Sequence, residues 1–138
     1  MSDERRNKEL VESFVNEVFI KHDMSHLERF LRKDYIQHNP DVPQGREGFK
    51  QFFETCFQGV PDFSYTLKKI VAEDDLVFIY CTTTGTHKGV WIGMAGTGNK
   101  LDFDVVDMFR IQDGLIAEHW DVADTLKLFT TIGKAKVV

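Results

Sequence analysis

The segment from Leu101 to Asp124, LDFDVVDMFRIQDGLIAEHWDVAD, restricts what this chain can fold into more than any other. Two apolar, β-branched runs flank Gln112-Asp113-Gly114, a pattern of two strands joined by a tight turn. Three ionisable residues, Asp107, His119 and Asp121, interrupt the apolar pattern. Burying an unpaired carboxylate is costly, so these groups either face water or line a cavity where their charge has a use.

Turn length decides which residues are neighbours. A two-residue loop at Asp113-Gly114 places Asp107 opposite Trp120. A three-residue loop with Gly114 left-handed places Asp107 opposite His119. The second register gathers Phe103, Val105, Phe109, Ile111, Leu115 and Ala117 on one face with the ionisable trio. It leaves Val106, Met108, Arg110, Ile116, Glu118 and Trp120 on the other. Because it yields one apolar face broken only by the three charges, the three-residue loop is the expected one.

The rest of the chain supplies helices first and strands afterwards. Leu10, Val11, Phe14, Val15, Val18 and Phe19 recur at helical spacing, predicting an amphipathic helix over about 5–22. Ser25 followed by Glu28 predicts a capped short helix carrying Leu27, Phe30 and Leu31. Asn39-Pro40 and Val42-Pro43 mark an ordered loop over 34–45. Phe49, Phe52, Phe53, Cys56 and Phe57 predict another helix, stopped by Gly59 and Pro61. From Pro61 the period falls to two, with Phe63, Tyr65, Leu67, Lys69 and Val71 alternating with more polar positions. Leu76–Lys88 reads as a more buried strand, and Gly93–Asn99 as a glycine-rich connection. Asp124 is placed to cap a last short helix through Thr130. This order predicts one α+β domain over 1–138, a curved antiparallel sheet against three N-terminal helices, closed into a cone-shaped barrel with a short C-terminal helix.

Composition narrows the function. A net charge of −5 and the lack of a Lys/Arg run argue against nucleic acid as a partner. The charged N-terminus and the absence of a long apolar run argue against a membrane, and Cys56 and Cys81 form no CxxC, so a reducing cytoplasm is the expected setting. His38, His87 and His119 come from three separate elements without HxH or HExxH spacing, so no metal is expected. The outer apolar face around Trp120 is large enough to predict a homodimer packed sheet against sheet.

Several short motifs carry a resemblance spanning almost the whole chain. They are Tyr35-Ile36-Gln37-His38-Asn39-Pro40 with Gly45 and Gly48-Phe49, then Gly85-Thr86-His87-Lys88-Gly89 and Thr97-Gly98-Asn99-Lys100, and finally Asp113-Gly114 with Glu118-His119-Trp120-Asp121-Val122. In these the chain resembles the SnoaL-like polyketide cyclase and aldol-condensation family of the nuclear transport factor 2-like superfamily. The resemblance implies a general acid/base carboxylate on a late strand, acting without metal or organic cofactor. By motif position that role falls on Asp121, with His119 and His38 nearby.

The residue chemistry agrees with a small hydrophobic carbonyl compound as the partner. Asp121 is the expected base, and His119, held by Asp107, is the expected donor to the enolate oxygen. His38 or Tyr35 is a further donor to a growing enolate oxygen. Phe14, Val105, Phe109, Tyr35 and His87 are the expected binding wall, with His87 at the cavity rim or an interface. The alternative is a binding or sensor module that holds such a ligand without transforming it; a structural assembly domain would instead fill the cavity with its own Phe side chains.

Overall fold

A computed structural model describes residues 3–138. The elements run α1 (Asp3–Phe14), a π-helical turn (Val15–Ile20), a 3₁₀ turn (Leu27–Arg29), β1 (Leu31–Gln37), α2 (Gly45–Gly59), β2 (Ser64–Glu73), β3 (Leu76–Thr86), β4 (Lys100–Gln112), β5 (Leu115–Ala123) and α3 (Thr125–Thr131). The five strands form one open sheet in the order β1-β5-β4-β3-β2. The helices cover its inner face, giving the α+β cone expected from the sequence.

The sheet is mixed rather than wholly antiparallel, and it does not close into a barrel. β1 lies parallel to β5, pairing Ile36 with Glu118 and Gln37 with His119. The sequence reading left part of this strand in a loop because Arg32, Lys33 and Asp34 dilute its apolar pattern. An edge strand tolerates such charges, since one face and one side meet water. Its inward residues, Leu31, Tyr35 and Gln37, are buried.

The first helix is amphipathic as its spacing requires, but it widens into a π turn after Phe14. Residues five apart on an α-helix diverge by about 140°. The wider turn brings Phe14 and Phe19 onto one side, with ring centroids 5.3 Å apart. The expected helix at Ser25 is only a 3₁₀ turn, because the Ser25 hydroxyl and N–H both donate to Asp23 Oδ1 (2.6 and 2.9 Å). That local turn competes with helix capping. At the other end of the chain, Asp124 caps α3 by accepting from the Lys127 N–H.

Two bulges correct the strand parities. In β2 the register slips between Leu67 and Lys69, so Ile70 and Ala72 turn inward while Val71 faces solvent. A bulge inverts every side chain after it. In the β4–β5 hairpin the loop is the two-residue one, with Asp113 and Gly114 at φ 54° and 75°, which pairs Gln112 with Leu115. Left alone it would have turned His119 and Asp121 outward. A second irregularity leaves Ala117 without a register partner, so Arg110 faces Glu118 and Asp107 faces Asp121. The trio therefore shares the inner face after all, while Ile116 rather than Leu115 enters the core.

Candidate active site

Between the inner sheet face and the helices lies a cavity of about 430 Å³. Phe14, Phe19, Phe49, Phe53, Phe103 and Phe109 form much of its wall, with Val105, Trp91 and Phe129 completing it. The loop after β1 forms one rim through Asn39–Val42. That loop is pressed against α2 so closely that a Cβ at Gly48 would lie 2.4 Å from the Pro43 carbonyl oxygen. Among the described residues, no Lys or Arg lines the cavity.

Its polar groups converge on one stretch of wall. Asp107 is almost fully buried and accepts the Tyr65 hydroxyl at Oδ2. Its other oxygen lies 2.7 Å from His119 Nε2. The second ring nitrogen, Nδ1, lies 2.7 Å from Gln37 Oε1. His119 thus has a side-chain oxygen within hydrogen-bond distance of each ring nitrogen. Phe109 packs on the same imidazole, centroids 5.0 Å apart.

Asp121 stands across the hairpin from Asp107, with Oδ2 3.9 Å from His119 Nε2 and accepting from Asn39 Nδ2 at 3.0 Å. Burial raises its pKa above the ordinary carboxylate value, against the opposing pull of the Asn39 hydrogen bond and of His119. Burial also pushes the Tyr35 and Tyr65 phenols up, and the Cys81 thiol to about 12, so Cys81 offers no thiolate.

Asp107, His119 and Asp121 could hold a cation, since one ligand atom from each falls within 4.8 Å of the others. The nitrogen facing them is the one hydrogen-bonded to Asp107, so an ion would have to displace that proton.

Among the sequence-derived candidates, Asp107, His119, Asp121, Tyr35, Phe14, Val105 and Phe109 all line the cavity. His38 does not. β1 alternates, so Gln37 points inward and the next residue outward, where the His38 ring stacks on Trp120 at 4.7 Å and Nε2 lies 2.7 Å from Glu118 Oε2. Glu118 also accepts from Arg110 Nε at 2.9 Å; the His38 bond first, and Arg110 after it, hold its carboxyl below the ordinary range. His87 is not at the rim either. It is wholly buried, accepting the Thr97 N–H at Nδ1 (3.3 Å) and facing the Met94 carbonyl with Nε2 (3.1 Å), and so ties down the glycine-rich connection.

Sequence reasoning missed Gln37, Asn39 and Tyr65. Gln37 and Asn39 belong to an unrecognised strand and its exit. The only signal for Tyr65 was its shared parity with Phe63.

An open α+β cone with a mostly apolar cavity, into which Asp107, His119 and Asp121 project, is the architecture of the nuclear transport factor 2-like fold. The chain belongs to the SnoaL-like polyketide cyclase family, whose sequence profile matches residues 9–132. Over 111 residues it is 27% identical to the aklanonic acid methyl ester cyclase DnrD of Streptomyces peucetius, covering 79% of this chain and 74% of that protein. DauD of Streptomyces sp. strain C5, a cyclase of the same name, is 26% identical over 110 residues, 78% of this chain and 67% of DauD. The structure of TsrD from Streptomyces laurentii superimposes with a TM-score of 0.86 at 31% identity, covering 98% of this chain and all of TsrD.

Proposed function

We propose that this protein is a cofactor-independent acid/base enzyme that closes or isomerises a small hydrophobic carbonyl compound. The observation that carries the proposal is a half-buried carboxylate, Asp121, with a raised pKa, 3.9 Å from His119 in a mostly apolar cavity. A base that titrates nearer neutrality takes protons from carbon more effectively.

In the aldol form of the reaction, Asp121 removes a proton from the carbon next to a carbonyl group. The C–H electron pair becomes an enolate, whose negative oxygen is held by hydrogen-bond donors. The enolate carbon attacks a second carbonyl carbon of the same molecule, forming one C–C bond and sending the π pair to oxygen. That oxygen recovers the proton from Asp121. The product is an isomer of the substrate, so atoms and electrons balance with no added reagent.

With no Lys or Arg on the wall and three carboxylates, Asp41, Asp107 and Asp121, along it, the cavity favours a neutral ligand, an ester over a free acid. The named relatives act on a methyl ester, which supports this choice. The test is incubation of the purified protein with aklanonic acid methyl ester, followed by chromatography for a product of unchanged mass. Catalysed formation of that isomer supports the reading; its absence with this and related polyketide methyl esters counts against it.

We also infer a homodimer through the outer sheet face. The register sets Phe78, Met108 and Trp120 in one row and Val106 beside Val122 in the next, with Val122 75% exposed. A second copy of the same face would cover both rows. At the start of the C-terminal tail the Lys134 and Ala135 amides bond to the Phe129 carbonyl.

A further inference from the structure

Gln37 has no obvious partner chemistry of its own, yet every polar atom of its side chain is engaged. The Asn39 backbone N–H donates to its Oε1 at 3.0 Å. A backbone N–H is always a donor, so this bond fixes which end of the amide is oxygen. The same oxygen faces His119 Nδ1, and the amide nitrogen is left to donate to the Tyr35 hydroxyl oxygen at 2.6 Å.

A hydroxyl that accepts from an amide has its own proton to give elsewhere. Among the described residues, no acceptor takes the Tyr35 proton. Tyr35 lines the cavity, is 2% exposed to solvent, and lies close enough to Asp121 and Asp107 for both to act on it electrostatically. Burial keeps the phenol protonated.

We propose that Gln37 is a positioning residue that fixes the Tyr35 hydroxyl as a hydrogen-bond donor into the cavity, where it grips a carbonyl oxygen of the ligand beside Asp121. The inference rests on the reading that the cavity takes a carbonyl compound, though not on turnover. Gln37 thereby touches both Tyr35, through its amide nitrogen, and His119, through its oxygen.

The substitution Gln37→Glu tests it, because the carboxylate is nearly isosteric and still accepts from Asn39 and His119. Its second oxygen accepts as well. Tyr35 then turns its proton toward Glu and away from the cavity. The probe is 1-tetralone, a neutral aromatic ketone, and the readout is its carbonyl stretch by infrared difference spectroscopy. Bound to the wild-type protein, the band lies at lower frequency than in hexane. In Gln37→Glu and in Tyr35→Phe it returns toward the hexane value, and affinity falls roughly tenfold. Tyr35→Phe adds little on the Gln37→Glu background.

Gln37→Leu serves if the charged variant does not fold. It removes both bonds without adding charge, and the carbonyl band broadens because the hydroxyl is no longer aimed. A band that stays the same in all three variants overturns the proposal, as do independent additive losses or a wild-type protein that fails to bind the ketone at millimolar concentration. An Asp121→Asn protein that is inactive yet keeps the shifted band separates this proposal from the catalytic one.

Discussion

Asp107 and Asp121 face each other directly across β4 and β5, and His119 Nε2 reaches in between, 2.7 Å from Asp107 Oδ1 and 3.9 Å from Asp121 Oδ2. The two acids are not equivalent. Asp107 takes a hydrogen bond on each oxygen, from Tyr65 and from His119, whereas Asp121 takes one, from Asn39, and looks into the cavity. Asp107 holds the imidazole; in the proposed function Asp121 is the acid that meets the ligand.

The raised pKa of Asp121 makes stability depend on pH in a stated direction. The native state binds this proton more tightly than the unfolded chain, so stability falls as pH rises through the unfolded carboxylate value toward the folded one. Above the folded value the penalty of a partly buried charge remains in full. Asp121→Asn is therefore expected to be more stable than wild type at pH 7, with the gap closing as pH falls from the raised folded value to the unfolded one near 4 and staying closed below it. Denaturant midpoints across that range measure it.

Removing the imidazole should be harmful rather than helpful. His119→Ala leaves the buried Asp107 with Tyr65 as its remaining hydrogen-bond partner and strands the Gln37 oxygen arrangement. Leaving a buried hydrogen-bonding group without one of its partners costs about 1–3 kcal/mol. Urea unfolding at neutral pH should show a loss of that order, larger than for any outer-face substitution.

His38 should prove dispensable for chemistry. Its ring lies on Trp120 on the far side of the sheet, bonded to Glu118. His38→Ala is expected to leave the rate of product formation within about twofold of wild type, because surface changes away from a site have small effects. Trp120 fluorescence should change, since its stacking partner is gone.

The dimer inference has its own readout. Val106→Glu and Val122→Glu place charges in the exposed apolar rows without entering the core. Sedimentation velocity at micromolar concentration should show a dimer for wild type and a monomer for the pair of substitutions. A monomeric wild type contradicts the inference.

Chelation gives a further check on the trio. If the proton between Asp107 and His119 is the working arrangement, millimolar EDTA leaves product formation unchanged. Loss of activity restored by a divalent ion would reassign Asp107, His119 and Asp121 as ligands.

How much of this was legible in the sequence varies with the element. Alternation from Phe103 to Ile111 reported the inner face of β4 faithfully, because nothing interrupts that strand. In β5 the reasoning reached the right face through the wrong turn: a two-residue loop and an unpaired Ala117 together mimic the parity of a three-residue loop. A bulge leaves no composition signal at such a position, and the same limit hid the slip after Leu67 in β2. β1 was obscured by charges that only an edge strand can carry, and with it went Gln37 and the outward turn of His38. The cavity wall was more readable, since Phe14 and Phe49 lie on apolar helix faces that have nowhere else to pack.

The central claim is that Asp121 moves the proton, and its most direct measurement is the pH dependence of cyclisation of a polyketide methyl ester by wild-type and Asp121→Asn protein. The wild-type rate should rise with pH as a carboxylate ionises above its ordinary range. The Asn variant, folded and still binding, should lose about two to four orders of magnitude at every pH. An Asn variant that turns over at the wild-type rate with the same profile would contradict the account.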